Sequence, residues 1–227
     1  MLPYPIVFLH IPKTAGTSFR TGLRQVLPEE VFIYDYGVNS GWMPKVINGI
    51  VSGKGKSGSL RELIAQQNII LSGHFHAVKY FDYFSPNQFW TFIRDPIQRM
   101  ISEYKHFVRH NGYQGSIQQF AETYQNRQMD LLSGIQLSDL GFWGITERYQ
   151  ESLALFYQQF GLQLPYIATN NAREDLTENY SVDRDILEVI EKYSQRDIEL
   201  YQAALREFDR RIDRMLERRE MNQLTPR

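Results

Sequence analysis

Apolar positions fall into short, nearly unbroken runs. Ile6 to Leu9, Val31 to Tyr34, Asn68 to Leu71 and Gln88 to Ile93 are rich in β-branched and aromatic residues and show little alternation. Runs of this length and character predict strands covered on both faces, as in a parallel sheet. Between them the spacing turns helical, over Ser18 to Val26, over Leu60 to Gln67 and in a long stretch after Pro96. The alternation of strand and helix predicts an α/β fold: a P-loop-like, doubly wound, mainly parallel sheet flanked by helices. The second half is mainly helical, over Ser116 to Gln125, Glu147 to Phe160 and Asp183 to roughly Glu220. Two segments look loose: 37–59, with glycines at 37, 41, 49, 53, 55 and 58, and the tail from Thr225. The first reads either as a surface excursion or as a substrate-side loop.

Composition narrows the class. With 227 residues, 42% hydrophobic and 22% charged, the chain is expected to form one domain over 1–227 with a substantial core. The net charge of −1 argues against a polybasic nucleic-acid binder while leaving room for a local basic pocket. Without cysteine there is no disulfide framework, thiolate metal site or cysteine nucleophile. No apolar run approaches the roughly 18 residues of a membrane span, and Pro3 and Pro5 lead into the first strand without a basic leader. A cytoplasmic enzyme without membrane insertion is the expectation. On the last helix, arginines from Arg206 to Arg219 interleave with acids from Glu207 to Glu220, which predicts a solvated, salt-bridged face.

The most informative stretch is His10-Ile-Pro-Lys-Thr-Ala-Gly-Thr-Ser18, between the first strand and the first helix. A phosphate or sulfate needs many donors and little steric bulk. The loop offers backbone N–H groups, hydroxyls at Thr14, Thr17 and Ser18, and the ammonium of Lys13, while Ala15 and Gly16 allow close backbone approach. The helix directs its positive dipole end at the same place. The lysine precedes the glycine, so this is not the G-x-x-x-x-G-K-[ST] loop of nucleotide kinases. Asp95, directly before Pro96, is expected to cap a helix rather than hold magnesium.

This loop resembles the 5′-phosphosulfate loop of carbohydrate sulfotransferases of the heparan sulfate 2-O-sulfotransferase type, which use 3′-phosphoadenosine 5′-phosphosulfate (PAPS). Phe92-Ile-Arg-Asp-Pro-Ile-Gln-Arg-Met-Ile-Ser-Glu-Tyr104 is similar to the segment that holds the 3′-phosphate in that family. Gly144-Ile-Thr-Glu-Arg148 resembles its G-x-T-E turn. The resemblance implies PAPS as co-substrate, no metal, and an acceptor hydroxyl, first of all on a saccharide. It implies donor-binding roles for Lys13, Thr14, Ala15, Gly16, Thr17 and Ser18 at the 5′ end, and for Arg94 and Ser102, less firmly Arg99, at the 3′-phosphate. Arg94 would stand at the carboxyl end of a strand, where open α/β sheets place ligands and where a guanidinium grips phosphate by paired hydrogen bonds. Arg173, in the polar segment Ala168 to Arg173, is a weaker candidate for the 3′-phosphate or adenine.

Just past the third strand lies Ser72-Gly-His-Phe-His76. Histidines at i and i+2 of an extended chain share a face. From the residues alone they suit a hydrogen-bonded loop pair, a zinc site with His10 as third ligand, or acid–base work near neutral pH. The resemblance implies the last, with His76 as the base that deprotonates the acceptor and His74 assisting. His106 and His110 read as helix-surface residues near the acceptor side, Trp90 as core, and Trp42 and Trp143 as candidates for stacking. A non-catalytic nucleotide-binding relative and a nucleotide-dependent phosphotransferase are the alternatives.

Overall fold

The computed structural model describes residues 2–37, 61–62, 64–65, 68–167 and 180–224. Five parallel strands form one sheet: β1 (Ile6–Leu9), β2 (Phe32–Asp35), β3 (Ile70–Gly73), β4 (Phe89–Ile93) and β5 (Phe142–Ile145), in the order β2-β3-β1-β4-β5. The chain first builds to one side of β1 and then, at β4, to the other. The strand order therefore reverses beside β1, and a ligand cleft is expected at the carboxyl ends on either side of it.

Alternation within the strands feeds two cores. Phe8, Trp90, Phe92 and Phe142 face Phe19 and Leu23 of α1 (Gly16–Val26) and Tyr149 and Phe156 of α5 (Tyr149–Phe160). Val7, Leu9, Leu71, Phe89 and Ile145 face Phe208, Ile212 and Met215 of α7 (Gln195–Leu224) and the short helical turn Ala77–Tyr80. A third cluster joins Met100 and Ile101 of α2 (Pro96–Asn111), Phe120 of α3 (Ile117–Thr123) and Ile190 of α6 (Arg184–Tyr193). A further short helix is α4 (Arg127–Leu131). Among the described residues no helix is long and apolar enough to cross a membrane.

The four expected strands form within two residues of their predicted bounds. The fifth, Phe142–Ile145, is not among the expected strands, and its last two residues, Gly144 and Ile145, belong to the segment that resembles the G-x-T-E turn. Glycine is needed there for packing: a Cβ would lie 2.5 Å from Cε1 of Phe92 on the neighbouring strand. The single helix expected from Asp183 to about Glu220 is two, broken at the buried Ser194. Asn126 Oδ1 accepts from the amides of Arg196 and Asp197, capping the second helix from a distant part of the chain. The Asp197 carboxylate in turn accepts from the amides of Gln128 and Met129. No local pattern could announce a break whose cap is some 70 residues away. On α7, Glu207 pairs with Arg210 and Arg214 at the surface, as the charge pattern predicts.

Candidate active site

The loop after β1 runs through His10–Ala15 at the point where the strand order reverses. Lys13 and Ala15 adopt φ of 67° and 62°. Left-handed backbone is costly for residues with a Cβ, and alternating it with ordinary geometry gathers amide N–H groups into an anion-binding concavity. Ala15 stands at the N-cap of α1 and has no side-chain oxygen to satisfy the opening amides. Thr14 is buried and its hydroxyl donates to the Ile11 carbonyl at 2.9 Å, so its proton braces the loop. Thr17 is exposed and Ser18 buried. Gly16 has a reason beyond phosphate approach. An added Cβ would lie 2.5 Å from Nε2 and 2.9 Å from Cγ of His10, and closer still to its Cδ2.

Lys13 is half-buried. Burial, then Arg94 and Arg109, push its ammonium below the usual lysine range, while Tyr180 and Glu103 oppose them. Such a cation gains from an incoming anion. His106 on α2 belongs to the same cationic surroundings: burial, then Lys13 and His110, lower it.

Arg94 follows β4 and is almost wholly buried. Its Nη1 donates to the Lys13 carbonyl at 3.2 Å, and its Nε lies 3.5 Å from Glu147 Oε1. It thus ties the β1 loop to the helical turn Thr146–Arg148 that follows β5. Glu147 also accepts from the Asp95 amide and the Tyr201 hydroxyl, and burial raises its carboxyl above the usual range. Asp95 caps α2 through the Gln98 amide at 2.9 Å, as expected. Ser102 lies on α2 with 7% of its surface exposed. Arg99 is sealed inside and paired with Glu103, which also accepts Arg127 at 3.2 Å, so Arg99 is part of the scaffold.

The histidine pair follows β3, beside β1. His74 Nδ1 donates to the His10 carbonyl, and the two rings stand 4.5 Å apart. His76 Nδ1 donates to the Asp130 carbonyl at 3.2 Å, with the Asp130 carboxylate 3.8 Å away. In both rings a carbonyl partner fixes the proton on Nδ1 and leaves Nε2 as the acceptor. His74 has water-accessible surface, yet protein surrounds it closely. That burial lowers its pKa, helped by Arg127 and Arg20 and opposed by the His10 carbonyl and Glu103. No group of three His, Cys, Asp or Glu among the described residues is arranged to hold a metal.

Lys13, Arg94, His10 and His74 are thus linked directly or through the loop backbone. His76 is tied instead to α4. Arg173, Asn170, Asn171, Trp42 and nearly all of the 37–59 loop lie outside the described residues. Trp90 is core, and Trp143 is buried beneath Arg211, which removes it as a stacking platform. Sequence reading missed Arg20, Tyr36 and Tyr180. Tyr36 lies just past the carboxyl end of β2, a position where open α/β sheets place ligand contacts, and that was the only signal. Tyr180 is held by two hydrogen bonds to Gln98, and nothing local marks it.

Residues 3–155 match the sulfotransferase family, and the chain belongs to that family. No curated protein matches the chain. Among solved structures, a sulfotransferase from Alicyclobacillus acidocaldarius is 14% identical, with 90% of this chain and 97% of that one covered at a TM-score of 0.49. Mouse sulfotransferase SULT7A1, complexed with PAP, is 10% identical, with 82% and 62% covered at 0.41. At these values the likenesses describe general resemblance only.

Proposed function

We propose that this protein transfers the sulfuryl group of PAPS to a hydroxyl of a saccharide acceptor, with His76 as the base. The observation that carries the reading is the β1 loop. Left-handed Lys13 and Ala15, the uncapped opening of α1 and a half-buried ammonium converge on one place, with Arg94 braced against the loop from behind. This donor set fits a phosphosulfate. Amides from Thr14 to Ser18, the Thr17 and Ser18 hydroxyls and Lys13 would hold its 5′ end, Arg94 and Ser102 its 3′-phosphate, with Arg173 a further candidate; the Thr14 hydroxyl, spent on Ile11, contributes only through the loop it braces.

The bound nucleotide supplies an activated sulfuryl group and a phosphate leaving group. His76 Nε2 takes the proton of the acceptor hydroxyl. The imidazolium formed is stabilised at Nδ1 by the carbonyl and carboxylate of Asp130. His74, kept neutral by burial, offers Nε2 as an acceptor that orients the same hydroxyl. Lys13 neutralises charge on the departing phosphate, and preorganised charge stabilisation of this kind is usually the largest catalytic contribution.

The test needs no acceptor. The unfolding temperature is followed with 3′-phosphoadenosine 5′-phosphate (PAP), ADP or magnesium-ATP. A ligand at about 100 times its Kd stabilises by about 2.7 kcal/mol, and each kcal/mol shifts a chain of this size by about 2–4 °C, so PAP should raise the midpoint by about 5–11 °C. ADP, without the 3′-phosphate, should do much less, and Arg94→Ala should erase most of that difference. Transfer from radiolabelled PAPS to a glycan panel separates an enzyme from a binding-only relative. Greater stabilisation by magnesium-ATP than by PAP would replace this reading with a phosphotransferase.

A further inference from the structure

One buried cluster beside the loop has no role so far. His10 retains 6% of its surface and packs against Phe8, His74 and Tyr36. Its Nδ1 lies 2.9 Å from the Tyr36 hydroxyl, and that hydroxyl accepts a hydrogen bond from Arg20 Nη1. The directions of these bonds can be assigned. A guanidinium only donates, so the Tyr36 oxygen accepts from Arg20. The single phenolic proton then finds its acceptor in His10 Nδ1. With Nδ1 as the acceptor every group in this hydrogen-bond chain is paired; a protonated Nδ1 would have to send the phenolic proton to the neighbouring Ser72 hydroxyl instead. Burial first, then His74, Arg20 and Lys13, hold the ring well below the usual histidine range, so it is neutral.

A neutral ring that accepts at Nδ1 carries its proton on Nε2. That edge lies against Gly16, the first residue of α1, where the opening amides converge. No hydrogen bond to Nε2 forms among the described residues, and the residue retains 6% of its surface. Around it stand groups that favour an anion: Lys13, Arg20 and the uncapped helix end.

We propose that His10 is a binding residue for the anionic donor: Arg20 and Tyr36 set its tautomer, and its Nε2–H donates to the 5′-phosphosulfate held by the β1 loop. Resting on the sulfotransferase reading above, this gives His10 a second task besides the carbonyl that orients His74. A neutral donor also differs in use from Lys13. It adds a hydrogen bond to the anion without a further positive charge that would repel Lys13 in the empty site.

The experiment uses full-length protein with 15N-labelled histidine and PAP as the probe. The His10 signals are assigned by through-bond correlation from the ring to its own backbone amide. The nitrogen shifts should report an Nε2-protonated neutral ring in the free protein, and Nε2 should move on addition of PAP. Affinity provides a second readout. The glutamine amide of His10→Gln can occupy roughly the Nε2 position, whereas His10→Asn reaches only the Nδ1 position. His10→Asn should weaken PAP binding by about tenfold or more, the loss expected for a hydrogen bond to a charged group, and His10→Gln by much less. Tyr36→Phe should give mixed tautomers and an intermediate loss. An Nδ1-protonated ring, or an Nε2 signal indifferent to PAP while PAP stabilises the wild type, would overturn the proposal even if the variants fail to fold. Wild-type protein that does not bind PAP would instead remove the sulfotransferase reading itself, and this inference with it.

Discussion

Gly16→Ala is the sharpest test of how the loop is built. Gly16 does not have positive φ, so alanine meets no backbone penalty, and in a helix interior it would gain about 1 kcal/mol over glycine. Packing opposes that gain. The three atoms nearest an added Cβ all belong to the His10 ring, at 2.9 Å and below, against about 3.5–4.0 Å for ordinary carbon contact. The ring cannot swing away easily, because Phe8, His74 and Tyr36 enclose it and Tyr36 holds Nδ1. Overpacking of this kind costs about 1–3 kcal/mol. Unfolding should therefore fall by about 2–12 °C, at about 2–4 °C for each kcal/mol. Thermal melts of four proteins (wild type, Gly16→Ala, His10→Ala and the double variant) isolate the contact, since in the His10→Ala background the added methyl meets no ring. There Gly16→Ala should be neutral or slightly stabilising. An equal loss in both backgrounds, or no loss in the wild type, would refute the packing argument and leave phosphate approach as the sole reason for the glycine.

Lys13→Ala should lower single-turnover sulfation at least about 100-fold, the scale for one transition-state charge donor, and weaken PAP much less; a near wild-type rate would remove its role. His76→Ala should cost about 100- to 10,000-fold in rate with PAP affinity unchanged, and His74→Ala less; the reverse ranking in turnover assays would make His74 the base. Glu103→Gln leaves Arg99 and Arg127 without their shared carboxylate, and a loss of about 3–5 kcal/mol is expected, visible as a melting temperature lower by about 6–20 °C. Because His10 and His74 are held below 6.5, the unfolded chain takes up protons that the folded one refuses as pH falls through that value. Stability from urea titrations should then drop on acidification, by up to about 1.4 kcal/mol per pH unit for the buried His10 and by less for the solvent-screened His74, with the raised carboxyl of Glu147 acting in the opposite sense. His10→Gln should flatten that slope, and an unchanged slope would show that His10 is not held neutral.

Four of the five strands, the parallel doubly wound class and the capping of α2 by Asp95 were legible from local pattern, because short apolar runs and an Asp-Pro pair carry their structural meaning within a few residues. The β1 loop was legible for the same reason: Lys13 to Ser18 are consecutive, so their shared chemistry needs no fold to assemble it. What lay beyond reach depends on residues far apart in the chain. Whether Arg99 faces ligand or scaffold is decided by Glu103 and Arg127 enclosing it, and whether Gly144 marks a turn or a strand is decided by Phe92 on the adjacent strand. The break at Ser194 follows from Asn126 capping a helix that local propensity would have continued. The Arg20–Tyr36–His10 chain exists only because parallel pairing brings the end of β2 near β1 across β3. A hydrogen bond has a direction, so a histidine's chemistry depends on which atom faces which nitrogen; composition and spacing can nominate the ring, and only the tertiary arrangement assigns its proton.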